Sequence, residues 1–222
     1  MSITVTWAAG ADNARSVSAA SAAMKRGGLV LLPTESVYVL ATDAFSLRGT
    51  AALRQAKGYP PDAPLGVLVP SWSTVSGITR TVPTYARDLM EAFWPGLLTL
   101  LLPAATTLSW DTVHDAPVAV RMPVHPAALA VLRQVGPAAV TAAPSLGSDS
   151  VVLPGDHEVV AGLDVVVDAG PSPWADSRGG APGLGEMRGL PSTVIDATGP
   201  LPVIRRAGAL SPHALREVCP DL

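Results

Sequence analysis

Short apolar runs alternate with helix-length segments along the whole chain. Glycine or proline stands at almost every junction, which leaves little room for anything but a layered α/β fold. The 20 glycines and 22 prolines among 222 residues supply that punctuation. Runs at 3–7, 29–32, 37–41, 65–69, 97–102, 118–122, 139–142, 163–168, 192–196 and 203–206 are too short for helices and read as strands. Between them lie segments with helical spacing and stop signals. One is capped by Asp12 or Asn13, carries Val17, Ala20 and Met24, and stops at Gly27-Gly28. A second follows Ser46 over 47–57 and ends at Gly58 and Pro60-Pro61. A third, 84–93, puts Tyr85, Leu89 and Phe93 on one face. A fourth runs from Pro126 to Gly136-Pro137, and Pro212 opens a last short one. No repeat or linker divides them, so the pattern predicts a single α/β domain over residues 1–222 with a mixed sheet. The stretch 169–190, rich in Gly, Pro and Ser, reads as a long loop, either a lid or a disordered excursion.

Composition removes several classes of function. With 48% hydrophobic residues the chain buries a sizeable core, and no apolar run approaches the ~18 residues that span a bilayer. The N-terminus shows neither a basic stretch nor a long apolar one, so a cytoplasmic protein is the default expectation. Cys219 has no second cysteine to pair with. A net charge of −3 argues against a chain-wide attraction to nucleic acid, although a local basic concavity is compatible with it. The histidines, His114, His125, His157 and His213, lack HxH or HxxxH spacing, and no metal site is expected of them. No GxSxG elbow occurs, and the glycines of 179–185 are not followed by Gly-Lys-Ser/Thr, so neither an α/β-hydrolase nucleophile nor a P-loop is present.

Six segments carry groups with chemical potential. Thr34, Glu35 and Ser36 close a buried strand, either pointing into a sheet-edge crevice or capping a tight turn. Lys57 ends a helix, where it satisfies the dipole or is aimed by the rigid turn behind it. Phe93-Trp94-Pro95-Gly96 seats a turn before a strand containing Thr99. Arg121 ends an apolar strand and needs an anionic partner, either a bound carboxylate or phosphate or an internal Asp or Glu. Ser192-Thr193 opens one strand with two hydroxyls, and Arg205-Arg206 closes another with two cations.

Taken in order, these segments resemble the successive signatures of the YrdC/Sua5 family of threonylcarbamoyl-AMP synthases. PTESVYVL at 33–40 is similar to PTDTVYGL, and the Lys57 segment to KxRxxxxPL. FWPG at 93–96 precedes the expected Thr-containing strand, Arg121-Met122-Pro123 matches RxP, Ser192-Thr193 matches the late ST, and Arg206-Ala207-Gly208 stands for RPG. The resemblance implies a YrdC-like domain, with a twisted mixed sheet flanked by helices and a concave ligand face, and no extra C-terminal domain of the longer Sua5 proteins. It implies a nucleotidyltransferase that joins threonine or a related small amino acid, bicarbonate and ATP into a carbamoyl-adenylate, with Mg²⁺ accompanying ATP. The product would feed the threonylcarbamoyladenosine modification of tRNA, with partner proteins of that pathway.

By the same resemblance Lys57 and Arg121 would be catalytic. Thr34, Ser36, Tyr38, Arg121 and Thr193 would hold the amino acid, and Lys57, Thr141, Ser192 and Arg206 the nucleotide. Departures fall mostly on the nucleotide side. Tyr59 replaces the arginine of KxR, Pro117 a threonine, and Ala142-Ala143-Pro144 a Ser-Ala-Asn turn. Ser36, Val39 and Ala207 replace Thr, Gly and Pro. Two other readings therefore stand beside the first: a specialised-pathway enzyme that handles a carbamoyl group without adenylation, and a non-catalytic module binding a nucleotide, a carboxylate or RNA.

Overall fold

The computed structural model describes residues 2–106, 110, 116–142, 162–171 and 191–222. The elements follow in the order β1 (Ile3–Thr6), α1 (Ala14–Lys25), β2 (Leu29–Leu32), β3 (Val39–Asp43), α2 (Leu47–Lys57) and β4 (Gly66–Leu68). After a 3₁₀ turn at Trp72–Thr74 come α3 (Val75–Ile78), α4 (Thr84–Phe93), β5 (Leu98–Pro103), β6 (Pro117–Arg121), α5 (Pro126–Val135) and β7 (Ala138–Ala142). The chain continues through β8 (Leu163–Asp168), β9 (Thr193–Asp196), β10 (Val203–Arg206) and α6 (Pro212–Val218). Among the described residues ten strands join one mixed, twisted sheet in the order β1-β8-β2-β3-β7-β4-β6-β5-β9-β10. The pairs β1–β8, β8–β2, β4–β6 and β5–β9 are parallel and the rest antiparallel. Among the described residues no helix is long and apolar enough to cross a membrane.

Local chemistry fixes the helix limits. Ser46 Oγ accepts from Gly49 N at 3.1 Å and starts α2, while Gly58, at φ +66°, ends it in the left-handed conformation favoured after a helix. Proline opens both α5 and α6, where its missing N–H costs nothing. At α1 the expected cap is divided. Asn13 holds the cap position but turns its side chain back to Ala8, and Asp12 Oδ1 accepts from Ala14 N instead. The strand expected over 37–41 begins at Val39, because Thr34 N and Oγ1 both bond Val37 O and keep that stretch in the turn.

The two faces of the sheet are covered unequally. On one face α2, α3, α4 and α6 supply Leu53, Ile78, Leu89 and Leu215 against Leu31, Leu40, Leu98, Leu100, Val120 and Ile195. On the other, α1 and α5 set Val17, Met24, Val131 and Leu132 against Val30, Leu32, Ala41, Val140 and Val165. Each such fully buried side chain contributes about 1.5–3 kcal/mol of transfer free energy. The cover of α1 and α5 lies over the β1–β7 half. There β2 is buried at every residue, whereas β5 alternates buried and half-buried positions throughout. Among the described residues the rest of that face, from β4 to β10, is the less covered half.

Candidate functional site

A concavity of about 430 Å³ lies on this open face. Val39, Val140, Thr141 and Ala142 border it from β3 and β7; Gly66, Leu68, Ala119 and Arg121 come from β4 and β6; Thr99, Ser192 and Arg206 close its far end. Thr34, Ser36 and Val37 reach it from the turn before β3, and Tyr59, Pro64 and Leu65 from the loop after α2. Chain segments more than a hundred residues apart thus share one surface, because β7 and β9 are inserted beside strands formed much earlier.

Arg121 is held from two sides. Its Nε donates to Gly96 O at 3.1 Å, and its Nη2 forms an ion pair with Glu35 Oε1. Glu35 Oε2 accepts from Val124 N at 3.1 Å, so both carboxylate oxygens are engaged. The pair is secluded, with side-chain exposures of 12% for Arg121 and 3% for Glu35. Of the two partners open to this arginine, the internal carboxylate is therefore present, and Glu35 is the group that holds it. The Trp94-Pro95-Gly96 turn has a part in the site as well. Trp94 Nε1 donates to Leu98 O at 2.7 Å and Gly96 N to Met122 O at 2.9 Å, which places the Gly96 carbonyl beneath Arg121.

Arg206 is fixed separately. Its Nε and Nη2 donate to Ser192 O at 3.1 and 2.9 Å, and Nη2 also to Ser192 Oγ at 3.0 Å. Ser192 Oγ lies 2.8 Å from Thr99 Oγ1, which ties β9 to β5 at the cavity edge. The approach depends on Gly208, where an added Cβ would stand 2.3 Å from Pro191 O and 2.6 Å from Ser192 C and Thr193 N. All three are backbone atoms that cannot swing away. Burial lowers the Arg206 pKa from its ordinary value, and the Arg121 charge lowers it further. Guanidinium groups stay protonated through such shifts, so Arg206 presents a positive charge to the cavity, while the charge of Arg121 is paired with Glu35.

Thr34 and Ser36 combine both roles open to them. Thr34 Oγ1 donates to Val37 O at 2.6 Å, Ser36 Oγ lies 3.1 Å from it, and both residues border the cavity. Thr141 and Ser192 also line it. Lys57, Tyr38 and Thr193 stand off the described lining. The Tyr38 hydroxyl donates to Gly170 O at 2.7 Å and accepts from Ala169 N at 3.1 Å, and burial pushes its pKa to about 12. Thr193 Oγ1 accepts from Leu210 N at 3.0 Å, on the buried side of β9. Lys57 places Nζ over the Tyr59 ring, 5.8 Å from its centroid, within cation–π range. Pro117 borders a separate small cavity, so its loss of a hydroxyl does not thin this lining. Val39 does line it, where the expected glycine would have left more room. Ala143, Pro144, His114, His157 and the glycines of 179–185 lie outside the described residues.

Glu35 and Thr99, which the motifs contain but to which the resemblance gives no role, have partners in the site: Glu35 pairs with Arg121, and Thr99 Oγ1 lies beside Ser192 Oγ. Strand alternation was the usable signal for Thr99, since Leu98 and Leu100 are buried and the residue between them must face the other way.

The family model for Sua5/YciO/YrdC, described as "Telomere recombination", matches residues 22–177. The chain belongs to the Sua5/YciO/YrdC family. Its similarity to a Mycobacterium leprae family member named "Putative threonylcarbamoyl-AMP synthase" is 41% identity over 214 residues, 93% of this chain and 89% of that one. Pyrococcus abyssi Sua5, solved in complex with L-threonine, superposes with a TM-score of 0.80 at 27% identity. All of this chain is covered, and it spans 62% of that Sua5 chain. Escherichia coli YciO shares the Sua5/YciO/YrdC fold over the whole length of both chains, with a TM-score of 0.79 at 21% identity.

Proposed function

We propose that the chain is a threonylcarbamoyl-AMP synthase, which joins threonine, bicarbonate and ATP with release of pyrophosphate. The observation that carries this is the convergence of Arg121 and Arg206 on one cavity, each oriented by its own fixed acceptors. Bicarbonate supplies CO₂, and the threonine amine adds to it and loses a proton to give a carbamate. A carbamate oxygen then attacks the α-phosphorus of ATP as the bond to pyrophosphate breaks. The reaction needs alignment and charge stabilisation more than a covalent intermediate.

Arg121, with Nε and Nη2 engaged, presents its remaining edge to the threonine carboxylate beside Thr34 and Ser36. Arg206 faces the phosphates from the opposite end. The described lining offers hydroxyls and no carboxylate, so Mg²⁺ enters as part of the MgATP substrate, with phosphate oxygens and water as its ligands. The adenylate is a reactive mixed anhydride and has to be passed to an enzyme that transfers the threonylcarbamoyl group to tRNA.

Pyrophosphate release from MgATP and bicarbonate, measured across a panel of amino acids, tests this reading. Release is expected with threonine and not with alanine, and it should fall about 10- to 100-fold in Arg206→Ala, the cost of one charge-assisted contact. No release with any amino acid from the folded wild type would refute it.

A further inference from the structure

The cavity is chemically divided along the sheet. Its β6–β10 end carries Arg121, Arg206 and the hydroxyls of Thr99 and Ser192. Its β3–β7–β4 end is mainly apolar, with Val39, Val140, Leu65, Leu68 and Pro64 beside the hydroxyls of Thr34, Ser36 and Thr141. Tyr59 borders that apolar half, and its side chain is 42% exposed. On its other side the same residue borders a second concavity with Gly58 and Pro61, so Tyr59 forms a wall between the two.

This wall is built rather than incidental. Tyr59 N donates to Arg54 O at 2.9 Å, buried Arg54 donates from Nε to Ala63 O at 2.8 Å, and Ala63 N donates to Pro60 O at 3.0 Å. Pro60 and Pro61 restrict the backbone between those bonds. The Lys57 ammonium over the ring adds a contact that opposes its rotation. An aromatic surface on a pinned loop, above an apolar floor and across from two guanidinium groups, suits a ligand with a flat heterocycle at one end and anions at the other.

We propose that Tyr59 is the base-reading residue of this site, its ring packing against the face of the nucleotide's purine while Arg206 holds the phosphates. The inference rests on the nucleotide-using function given above and adds the residue that separates a nucleotide from a bare polyphosphate. The loop that brings Tyr59 here exchanges a cation for a stacking surface.

Equilibrium binding of ATP and of inorganic tripolyphosphate, each with Mg²⁺, to the wild-type chain, Tyr59→Leu and Tyr59→Trp tests the assignment. Tyr59→Leu should weaken ATP about 5- to 100-fold, the range for base stacking on an aromatic side chain, and leave tripolyphosphate within about twofold. Tyr59→Trp should retain ATP binding. Unchanged ATP affinity in Tyr59→Leu, or equal losses for both ligands, would overturn the proposal while leaving the nucleotide reading in place. A wild type that binds neither ligand would overturn the nucleotide reading and this one together. Tripolyphosphate binding by Tyr59→Leu also shows that the variant is folded.

Discussion

Removing Glu35 isolates what holds the site's central cation. In Glu35→Ala, Arg121 keeps Gly96 O and loses its one carboxylate partner among the described residues. Breaking a buried ion pair by deleting one member costs about 3–5 kcal/mol. The lower end applies here, because Arg121 borders an open cavity from which water can partly solvate it. At roughly 2–4 °C per kcal/mol for a chain of this size, the variant should melt about 6–12 °C below wild type. Glu35→Gln gives up the charge and one of the two acceptors, since its single amide oxygen can serve either Arg121 or Val124 N but not both, a loss of about 2 kcal/mol. Thermal and urea unfolding of both variants, of Arg121→Met, and of the Glu35→Ala/Arg121→Met double variant would give the coupling energy. We expect about 2 kcal/mol or more, since once one charge is gone the other is only a burden. Additivity within about 0.5 kcal/mol would refute the reasoning, as would a Glu35→Gln loss equal to that of Glu35→Ala.

Four further outcomes follow from the geometry. Gly208→Ala should cost about 1–3 kcal/mol in urea unfolding and weaken ATP binding, because its Cβ forces the backbone of Ser192 away from Arg206. Gly58→Ala, with open space around it but φ at +66°, should cost about 1 kcal/mol in urea unfolding. His125 Nδ1 accepts from Ala127 N, and burial lowers its pKa below 6.5 against an opposing pull from Glu35. The unfolded chain therefore binds this proton more readily than the folded one. The associated stability is present above pH 6.5 and lost as pH falls through the lower folded value, and His125→Asn should flatten that acid slope in unfolding titrations. For Tyr38, raised to about 12, the stability from its buried neutral hydroxyl is full below pH 10 and lost as pH rises through 12. The gap between wild type and Tyr38→Phe should shrink across that window, and a constant gap would count against the assignment.

Much of the fold is legible in the sequence because it is written locally. The bounds of α2, α4 and α5 coincide with Ser46, Pro83, Pro95, Pro126 and Gly136, residues whose backbone chemistry starts or stops a helix wherever they occur. The turn at 72–74 and the short α3 carry no such signal, since Trp72, Ser73 and Thr74 suit a loop equally well. The site is legible in part for the same reason. Arg121, Arg206 and Ser192 sit at strand ends where a charge or hydroxyl invites a ligand, and the cavity gathers them. Ser192 and Thr193 are placed differently from each other. Neighbours in a strand point to opposite faces, so of Ser192 and Thr193 only one could border the cavity, and the hydroxyl next door is spent on Leu210.

What local signals cannot carry is pairing across the sheet. Glu35 meets Arg121 across 86 residues and Gly96 O meets it across 25, distances that only the strand order resolves. Lys57 shows the same limit at a loop. It ends α2 close to the cavity in sequence, and in this structure Tyr59 borders the cavity while the Lys57 ammonium lies over the Tyr59 ring. The guanidinium groups that border the cavity are those of Arg121 and Arg206, and the Arg121 charge adds to burial in lowering the Arg206 pKa. Anion affinity should accordingly depend on both: Arg121→Met and Arg206→Ala should each weaken tripolyphosphate, with Lys57→Ala changing it far less. A Lys57→Ala loss as large as that of Arg206→Ala would mean that the lysine swings into the cavity when a ligand arrives.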